Sequence, residues 1–273
     1  MGRGEQGTGN WELGTGSATL PCATAALSLF CREEKYGIIY AKRNRTMALN
    51  IVKDIDNRVA VKHVLVSVSD KTGLEEFIPS LVKACPGVVI YSTGGTYTKI
   101  AEILGDKARD TLVAVSDYTG QPEMQGGLVK TLDFKIYLGI LSETYNEAHQ
   151  ADIKRLNAAA LDMVVVNLYP FKETIAKEGV TPEMARTNID IGGPCMVRAS
   201  AKNYLRVASV TDPLDYPNIA QELLSNGGTI GFDTRFRLMK KAFSHTAAYD
   251  TAIAGFFTER TWEEVNNTYT KKN

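Results

Sequence analysis

The sequence predicts an α/β protein built on a parallel sheet that is covered by helices on both faces. Three observations support this class. Short apolar segments typical of buried strands alternate with segments of helical periodicity. These strands are mainly apolar, as expected of strands covered on both faces. The 273 residues, 44% apolar and 23% charged, are sufficient for one large α/β domain and unlike a disordered chain.

The predicted strands follow one another from residue 62 onward. The first covers residues 63–69, and the most strongly apolar one covers residues 162–168. Further strands are predicted at residues 88–91, 112–115 and 207–210. Ligands of parallel sheets bind beyond the carboxyl ends of the strands, so a site is expected in the loops that follow these segments.

Helices are predicted between these strands from the spacing of their apolar residues. The first covers residues 73–84, where Pro79 predicts a kink or a break because proline lacks the N–H of the helical hydrogen bond. A second helix ends at Leu104, and a third covers residues 146–156. A long helix over residues 234–257 closes the domain.

The chain is predicted to divide near residue 60. Residues 1–46 show neither strand nor helix periodicity, so a flexible N-terminal extension is predicted over residues 1–60. This extension is either a regulatory arm or an upstream addition to a protein that starts at Met47. The domain is predicted over residues 61–260, followed by a C-terminal tail over residues 261–273.

Composition excludes several classes of function. Lysine plus arginine equals aspartate plus glutamate at 31 each, and a chain without basic excess is a poor candidate for binding nucleic acid along a broad surface. No apolar run reaches the ~18–20 residues that span a membrane. The four cysteines form no C-x-x-C pair and the three histidines are scattered, so no metal site is predicted. We expect a cytoplasmic protein with reduced thiols.

Two turns rich in hydroxyl groups and glycine follow the first two predicted strands. Residues 69–73 read Ser-Asp-Lys-Thr-Gly and residues 93–96 read Thr-Gly-Gly-Thr, and each turn opens into a helix. The backbone N–H groups of a helix N-terminus, together with hydroxyl groups and a lysine, form a phosphate site. Ordinary turns and helix caps are the alternative, because they prefer the same residue types.

Another helix is predicted to begin near Gly193 or Pro194. Asp190 would lie just before this helix, and Lys202 would lie two to three turns along it, roughly 12–15 Å away if the helix is straight. The two side chains could meet only if the backbone bends or the helix ends early. The alternative is a capping aspartate and a solvated lysine.

Seven sequence blocks in register resemble the IMP cyclohydrolase domain of the bifunctional purine-biosynthesis enzymes. They read SVSDKTG at residues 67–73, TGGT at 93–96, VKTL at 129–132, NLYPF at 167–171, IDIGG at 189–193, AKN at 201–203 and HTAAYD at 245–250. The resemblance implies the methylglyoxal-synthase type of α/β fold, a five-stranded parallel sheet with helices on both faces. It also implies ring closure of FAICAR to IMP with release of water, the last step of de novo purine biosynthesis.

The resemblance further implies the partners of the protein. The substrate is a purine nucleotide, no metal or organic cofactor takes part, and the protein is a homodimer. Family members continue into a formyltransferase domain, whereas 16 residues (258–273) follow Phe257 here. The expectation is a stand-alone cyclohydrolase in the cytoplasm, without nucleic-acid or membrane partners, whose substrate comes from a separate formyltransferase.

The resemblance assigns roles to individual positions. Asp190 and Lys202 are implied to act as an acid–base pair on the carboxamide, and Lys130 with Tyr169 is implied to act at the formyl oxygen. The implied phosphate cradle comprises Ser69, Lys71, Thr72, Thr93, Gly94, Gly95 and Thr96. The implied substrate-lining residues are Thr131, Asn167, Gly192 and Gly193.

One stretch departs from the family pattern. Leu128 replaces an arginine, Asp133 and Phe134 replace a His-Pro pair, and Tyr137 replaces a second histidine. Two other functions therefore stay open, namely a non-catalytic nucleotide-binding regulatory module and a lyase acting on a small phosphorylated ketone. Retention of the four implied catalytic residues favours the cyclohydrolase.

Overall fold

The structure is a computed structural model that describes residues 51–121 and 130–272. The described residues contain seven strands: β1 (Arg58–Ala60), β2 (His63–Val68), β3 (Val89–Ser92), β4 (Leu112–Ala114), β5 (Met163–Asn167), β6 (Ala208–Val210) and β7 (Thr229–Gly231). Five of them form one sheet in the order β4-β3-β2-β5-β6, and all neighbouring strands are parallel. The predicted five-stranded parallel sheet is confirmed.

Twelve α-helices lie in the same described ranges. They are α1 (Leu74–Ala84), α2 (Gly94–Leu104), α3 (Ala108–Thr111), α4 (Val115–Thr119), α5 (Phe134–Leu141), α6 (Glu147–Arg155), α7 (Phe171–Ile175), α8 (Pro182–Thr187), α9 (Gly192–Lys202), α10 (Tyr216–Ser225), α11 (Phe232–Thr258) and α12 (Trp262–Thr268). Among these helices, none has both the length and the apolar character that crossing a membrane requires.

The central sheet is buried on both faces because successive side chains of a strand point to opposite sides. Val64 of β2 packs in one apolar cluster with Phe77 of α1, together with residues of α2 and α10. Leu65, the next residue along β2, packs in a second cluster with Val197 of α9 and residues of α5 and α11. Burial on both faces explains why the strands of this sheet are mainly apolar and could be predicted from the sequence.

The first helix continues through Pro79 without a break. Pro79 is exposed and lies at the sixth position of α1. The carbonyl group left without its helical partner belongs to Glu75, which is also exposed and can be hydrated. Of the kink or break predicted at Pro79, the break is therefore wrong.

A short antiparallel ribbon joins β1 to β7, with Arg58 opposite Gly231. The buried guanidinium of Arg235 holds this ribbon to the domain, since it donates to the carbonyl oxygens of Asp56 at 2.7 Å and of Ile230 at 2.8 Å. The predicted extension over residues 1–60 thus reached too far along the chain, because β1 packs as part of the domain. Residues 1–50, with the predicted start at Met47, lie outside the described residues.

The predicted C-terminal tail, residues 261–273, contains helix α12. Thr261 and Glu264 form a capping box in which each side chain accepts a hydrogen bond from the other residue's backbone N–H. The Tyr269 hydroxyl donates to the Glu183 carboxylate of α8 at 2.5 Å. Regular structure therefore extends past the predicted domain end at residue 260.

A buried ion pair fastens β2, β5 and α5 together. The Asp162 carboxylate accepts from the guanidinium of Arg206 at 3.1 Å and from the backbone N–H groups of Lys62 and His63 at 2.9 and 3.0 Å. Arg206 also donates to the carbonyl oxygen of Gly139, in α5. Burial raises the pKa of the Asp162 carboxyl, although these hydrogen bonds and the arginine oppose that shift.

Replacing Asp162 with alanine is expected to lower the free energy of unfolding by about 3–5 kcal/mol, because Arg206 would be left as a buried and uncompensated charge. Urea denaturation measures this loss. Asp152→Ala is the control, since Asp152 forms an exposed pair with Arg155 and its loss should cost no more than about 0.5 kcal/mol. Equal losses in the two variants would contradict the assignment.

Candidate active site

A cavity of about 390 Å³ opens at the carboxyl ends of β2, β3 and β5, where ligands of parallel sheets bind. This volume lies in the range of sites for small molecules. The cavity is lined by the turns after these strands and by the loop before α9. Thirteen sequence-predicted site residues line it: Ser69, Lys71, Thr93, Gly94, Gly95, Thr96, Lys130, Thr131, Asn167, Tyr169, Asp190, Gly192 and Gly193.

Asn167, at the end of β5, fixes the turn that follows β2. Its side-chain oxygen accepts from the backbone N–H groups of Ser69 and Asp70 at 2.7 and 2.9 Å, and its amide donates to the Asp70 carbonyl at 2.8 Å. These three hydrogen bonds consume most of the bonding capacity of the Asn167 amide. Asn167 thus shapes the wall of the cavity from which Lys71 projects.

The N-terminus of α2 faces the cavity. Thr93 precedes the helix in an extended conformation, and its hydroxyl makes no capping bond to the first turn. The N–H groups of Gly94 and Gly95 precede the first hydrogen bonds of the helix, which the Thr96 and Tyr97 N–H groups make to the Thr93 carbonyl oxygen, and so they provide donors for an anion. The Thr96 hydroxyl has a structural role instead. It accepts from the Val68 N–H and donates to the Val68 carbonyl oxygen, and these bonds connect α2 to β2.

Two lysines lie above the glycine pair of α2. A Cβ atom on Gly94 would lie 2.9 Å from Lys130 Nζ, and one on Gly95 would lie 4.0 Å from Lys71 Cε. Gly94 also has a φ of 48°, in the left-handed region that favours glycine. The absence of a side chain at Gly94 lets the Lys130 ammonium group approach the positive end of the helix, and the Lys71 side chain lies beside it, an arrangement suited to an anion.

Asp190 lies in the irregular loop between α8 and α9. Its carboxylate accepts from the backbone N–H of Gly193 at 2.9 Å. Burial raises the pKa of the Asp190 carboxyl above its ordinary value, while the backbone amides of Gly193 and Tyr169 act in the lowering direction. A carboxylate with a raised pKa is a stronger base than one in water.

The glycine pair at the start of α9 permits close packing around Asp190. A Cβ atom on Gly193 would overlap the Asp190 carboxylate and the Leu168 side chain. A Cβ atom on Gly192 would lie 3.0 Å from the Thr131 hydroxyl oxygen. Residues 130–131 therefore span the cavity, with Lys130 above the start of α2 and Thr131 against the start of α9.

The mouth of the cavity carries apolar and aromatic surface. Tyr169 and Ile191 line the cavity and are 57% and 58% exposed. Met196, which is almost fully buried, lines the cavity as well. A planar heterocycle could therefore contact apolar groups while its polar edge faces Asp190.

Two sequence-predicted site residues do not line the cavity. Thr72 is exposed, and its backbone N–H donates to the Asp70 side chain, so Thr72 stabilises the turn after β2. Lys202 is exposed in the last turn of α9. The helix continues unbroken from Gly192 to Lys202, which places Lys202 about 15 Å along the helix axis. The structure does not bring Lys202 and Asp190 together.

Several lining residues were not among the predicted site residues. They are Ser67, Val68, Leu132, Val166, Thr187, Asn188, Ile189, Ile191 and Met196. A strand residue such as Ser67 could have been predicted as a lining residue from its position at the carboxyl end of an apolar strand, although this signal is weak. Thr187 and Asn188 carry none, because α8 is a short helix without apolar periodicity. Within the two described ranges, no group of three His, Cys, Asp or Glu side chains is arranged to hold a metal ion.

The stretch that departs from the family pattern lies outside the cavity lining where it is described. Asp133 caps α5 by accepting from the Lys135 backbone N–H at 2.7 Å, and Phe134 is exposed. The Tyr137 hydroxyl is buried, and burial raises its pKa. Leu128 lies outside the described residues. Asp133, Phe134 and Tyr137 thus change the supporting helix rather than the cavity wall.

Comparisons with known families give two adjacent matches. A family model described as an MGS-like domain matches residues 73–195, and one described as the AICARFT/IMPCHase bienzyme matches residues 200–273. The first match contains the turns after β3 and β5 and the loop before α9, all of which line the cavity. The second match contains α11. The predicted methylglyoxal-synthase-like fold and the predicted family are confirmed.

Curated relatives and a solved structure agree with these matches. The bifunctional purine biosynthesis protein PurH of Neisseria meningitidis serogroup C is 50% identical over 199 residues, which are 73% of this chain and 36% of that protein. PurH of Ruminiclostridium cellulolyticum is 48% identical over 196 residues, 72% of this chain and 37% of that protein. The chain thus spans little more than a third of these relatives. The crystal structure of ForH matches at a TM-score of 0.63 and 30% identity, covering 72% of this chain and 97% of ForH.

Proposed function

The chain belongs to the family of the AICARFT/IMPCHase bienzymes, and on this basis we propose that it is an IMP cyclohydrolase that closes the ring of FAICAR to give IMP and water. One observation carries the proposal. A single cavity joins the N-terminus of α2, with Lys71 and Lys130 beside it, to the half-buried carboxylate of Asp190. A nucleotide monophosphate presents a phosphate and a heterocycle to these two ends.

The phosphate is assigned to the cradle formed by the turn after β2 and the start of α2. Lys71 and the N–H groups of Gly94 and Gly95 supply positive charge and donors there, and Ser69 and Thr93 supply hydroxyl groups. This interaction is the same before and during the reaction. It therefore contributes to affinity more than to turnover.

Asp190 is assigned as the general base. The carboxamide nitrogen of the substrate is a weak nucleophile, so its proton must be removed as it attacks the formyl carbon. The cavity also holds the two reacting groups of one molecule near each other, which removes the entropy cost of their encounter. The raised pKa of Asp190 makes its carboxylate a stronger base than that of an ordinary aspartate.

Lys130 is assigned to the formyl oxygen, on which negative charge develops during attack. Tyr169, at the mouth of the cavity, is assigned to the same oxygen together with Lys130. A new bond forms between the carboxamide nitrogen and the formyl carbon, and the resulting hydroxyl group then leaves. The carboxamide nitrogen and the formamide nitrogen each lose one proton, and these two protons leave with the formyl oxygen as one water.

Lys202 has no part in this scheme because it lies outside the cavity of its own chain. The acid–base pairing of Asp190 with Lys202 remains a prediction from the resemblance. Within the cavity, Lys130 and Lys71 provide the positive charge that this pairing would have supplied.

The assembly, the substrate and the location of the protein are part of the same proposal. We infer a cytoplasmic homodimer that takes a small purine nucleotide as substrate and needs neither nucleic acid nor a membrane. We infer that a separate formyltransferase, not residues 51–272, adds the formyl group to the aminoimidazole carboxamide nucleotide. Analytical ultracentrifugation of the purified chain measures the assembly, and a monomer at micromolar concentration would contradict the dimer.

An ultraviolet assay with FAICAR tests the activity. Purified protein is expected to form IMP at a rate proportional to enzyme concentration and far above that of the enzyme-free sample. Tight binding of XMP without turnover of FAICAR would instead support a regulatory nucleotide-binding module. Conversion of dihydroxyacetone phosphate in the same preparation would support a lyase.

The rate of ring closure is expected to fall as the pH is lowered through the pKa of Asp190. Only the deprotonated carboxylate accepts a proton, and because burial raises this pKa, activity is lost at a higher pH than for an ordinary carboxyl group. A profile of kcat against pH measures the acid limb. An acid limb that persists unchanged in Asp190→Asn would contradict the assignment.

A further inference from the structure

The loop that carries Asp190 is held from behind by a tyrosine of the long closing helix α11. Asp190 donates its backbone N–H to the Tyr249 hydroxyl at 2.8 Å, and this hydroxyl donates in turn to the Asn188 carbonyl oxygen at 3.4 Å. Residues 188–191 have no regular secondary structure. The Tyr249 hydroxyl therefore supplies bonds that a helix or strand would otherwise give to this backbone.

The position of the Tyr249 hydroxyl is itself fixed by the core. Tyr249 is only 8% exposed, and its ring packs edge-on against Phe171 of α7 at 6.1 Å between centroids. Phe171 also packs edge-on against Phe256, which lies about two turns beyond Tyr249 in α11, with 6.3 Å between the ring centroids. A rigid aromatic cluster thus determines where the hydroxyl meets the loop.

Asp190 is consequently held by two different elements. Tyr249 of α11 accepts from its backbone N–H, and Gly193 of α9 donates to its carboxylate. The bond to the carboxylate sets its orientation. The bond to the backbone sets how far the residue reaches into the cavity.

We propose that Tyr249 is a positioning residue that places the Asp190 carboxylate for proton transfer. This inference rests on the proposed cyclohydrolase function, in which Asp190 is the base. Tyr249 does not line the cavity and so acts through Asp190 rather than on the substrate. Its hydroxyl oxygen accepts one hydrogen bond from Asp190 and takes up no proton during the reaction.

Tyr249→Phe is the test, because it removes the hydroxyl and keeps the packed ring. The Asp190 N–H loses its acceptor, and the loop shifts away from α11. A displacement of about 1 Å of a catalytic group costs on the order of 10²-fold in rate, so kcat is expected to fall by about 10–100-fold. KM for FAICAR and Kd for XMP should stay within about threefold, since the phosphate cradle does not contact Tyr249.

Tyr118→Phe is the matched control. The Tyr118 hydroxyl also accepts a backbone N–H, that of Ala159 at 2.8 Å, and Tyr118 is not a cavity residue. Each variant thus removes one hydroxyl that accepts one backbone amide. Loss of stability should be similar in the two variants, whereas kcat should change by less than about twofold in Tyr118→Phe.

Steady-state kinetics, XMP titration and amide hydrogen exchange at Asp190 are measured for wild type and both variants. A fall in kcat confined to Tyr249→Phe, with faster exchange of the Asp190 amide, supports the proposal. It is overturned if kcat is retained, if it falls equally in Tyr118→Phe, or if XMP affinity falls as much as kcat. A wild-type protein without FAICAR turnover would refute the cyclohydrolase function, and in that case unchanged exchange at Asp190 in Tyr249→Phe would refute the positioning role separately.

Discussion

Asp190→Asn is expected to lower kcat for ring closure by about 10²–10⁴-fold, equivalent to roughly 3–5 kcal/mol of activation free energy. Asparagine has nearly the shape of aspartate and can still accept a hydrogen bond from the Gly193 backbone N–H. The substitution therefore removes basicity and keeps the cap on α9. Affinity for XMP should change little, because ground-state binding comes mainly from the phosphate cradle.

Turnover of FAICAR and equilibrium binding of XMP are the two measurements for this variant. Asp133→Asn is the control, since Asp133 also caps a helix by accepting a backbone N–H but does not line the cavity. Near-normal turnover in Asp190→Asn would reduce Asp190 to a helix cap. A larger loss in Asp133→Asn would direct attention to the stretch that departs from the family pattern.

Lys71→Ala is expected to weaken nucleotide binding by about 10–100-fold while kcat at saturation falls by less than about fivefold. Lys71 projects toward the start of α2, and in the structure its ammonium donates to the Ser69 carbonyl at 3.3 Å. A phosphate in the cradle would give this charge a partner of opposite sign. That attraction exists equally in the substrate complex and the transition state, so its loss raises KM.

Isothermal titration with IMP and steady-state kinetics with FAICAR measure the effect of Lys71→Ala. Lys99→Ala serves as the matched control, because Lys99 also belongs to the α2 region but forms an ion pair with Glu75 away from the cavity. Removal of Lys99 should leave both KM and kcat unchanged. If Lys71→Ala lowered kcat as strongly as Asp190→Asn, Lys71 would have a role in the chemistry rather than in binding phosphate.

The central sheet could be predicted because each of its strands is buried on both sides. A run such as residues 163–166 is apolar at every position because both faces of the strand are covered, and this pattern is visible in the sequence alone. The β1–β7 ribbon has no such signal. Its strands are three residues long, and the paired residues Val59 and Ile230 lie 171 residues apart in the sequence, so the pairing depends on the folded domain.

The candidate site could be predicted where glycine and hydroxyl groups follow a strand. The turns at residues 69–73 and 93–96 carry local signals, and the resemblance added Lys130 and Asp190, which line the same cavity. The distance from Asp190 to Lys202 could not be settled from sequence, because it depends on whether α9 continues without a break. The contact from Tyr249 to Asp190 spans 59 residues and becomes visible only in the folded chain.

The substitutions at Asp133, Phe134 and Tyr137 illustrate the limit of motif comparison. They left two other functions open in the sequence, yet these residues form the first turn of α5 and its cap. The cavity wall is instead formed by Lys130, Thr131 and Leu132, just before that helix. A change of residue type in a family motif therefore need not be a change in the site.

The most direct test of the account follows the formyl carbon itself. FAICAR labelled with ¹³C in its formyl group is incubated with the purified chain, and the label is observed by NMR. The account predicts transfer of the signal from the formyl position to C2 of IMP at an enzyme-dependent rate, and strong suppression of this transfer in Asp190→Asn. A label that remains in the formyl group at the enzyme-free rate, while XMP still binds, would contradict it.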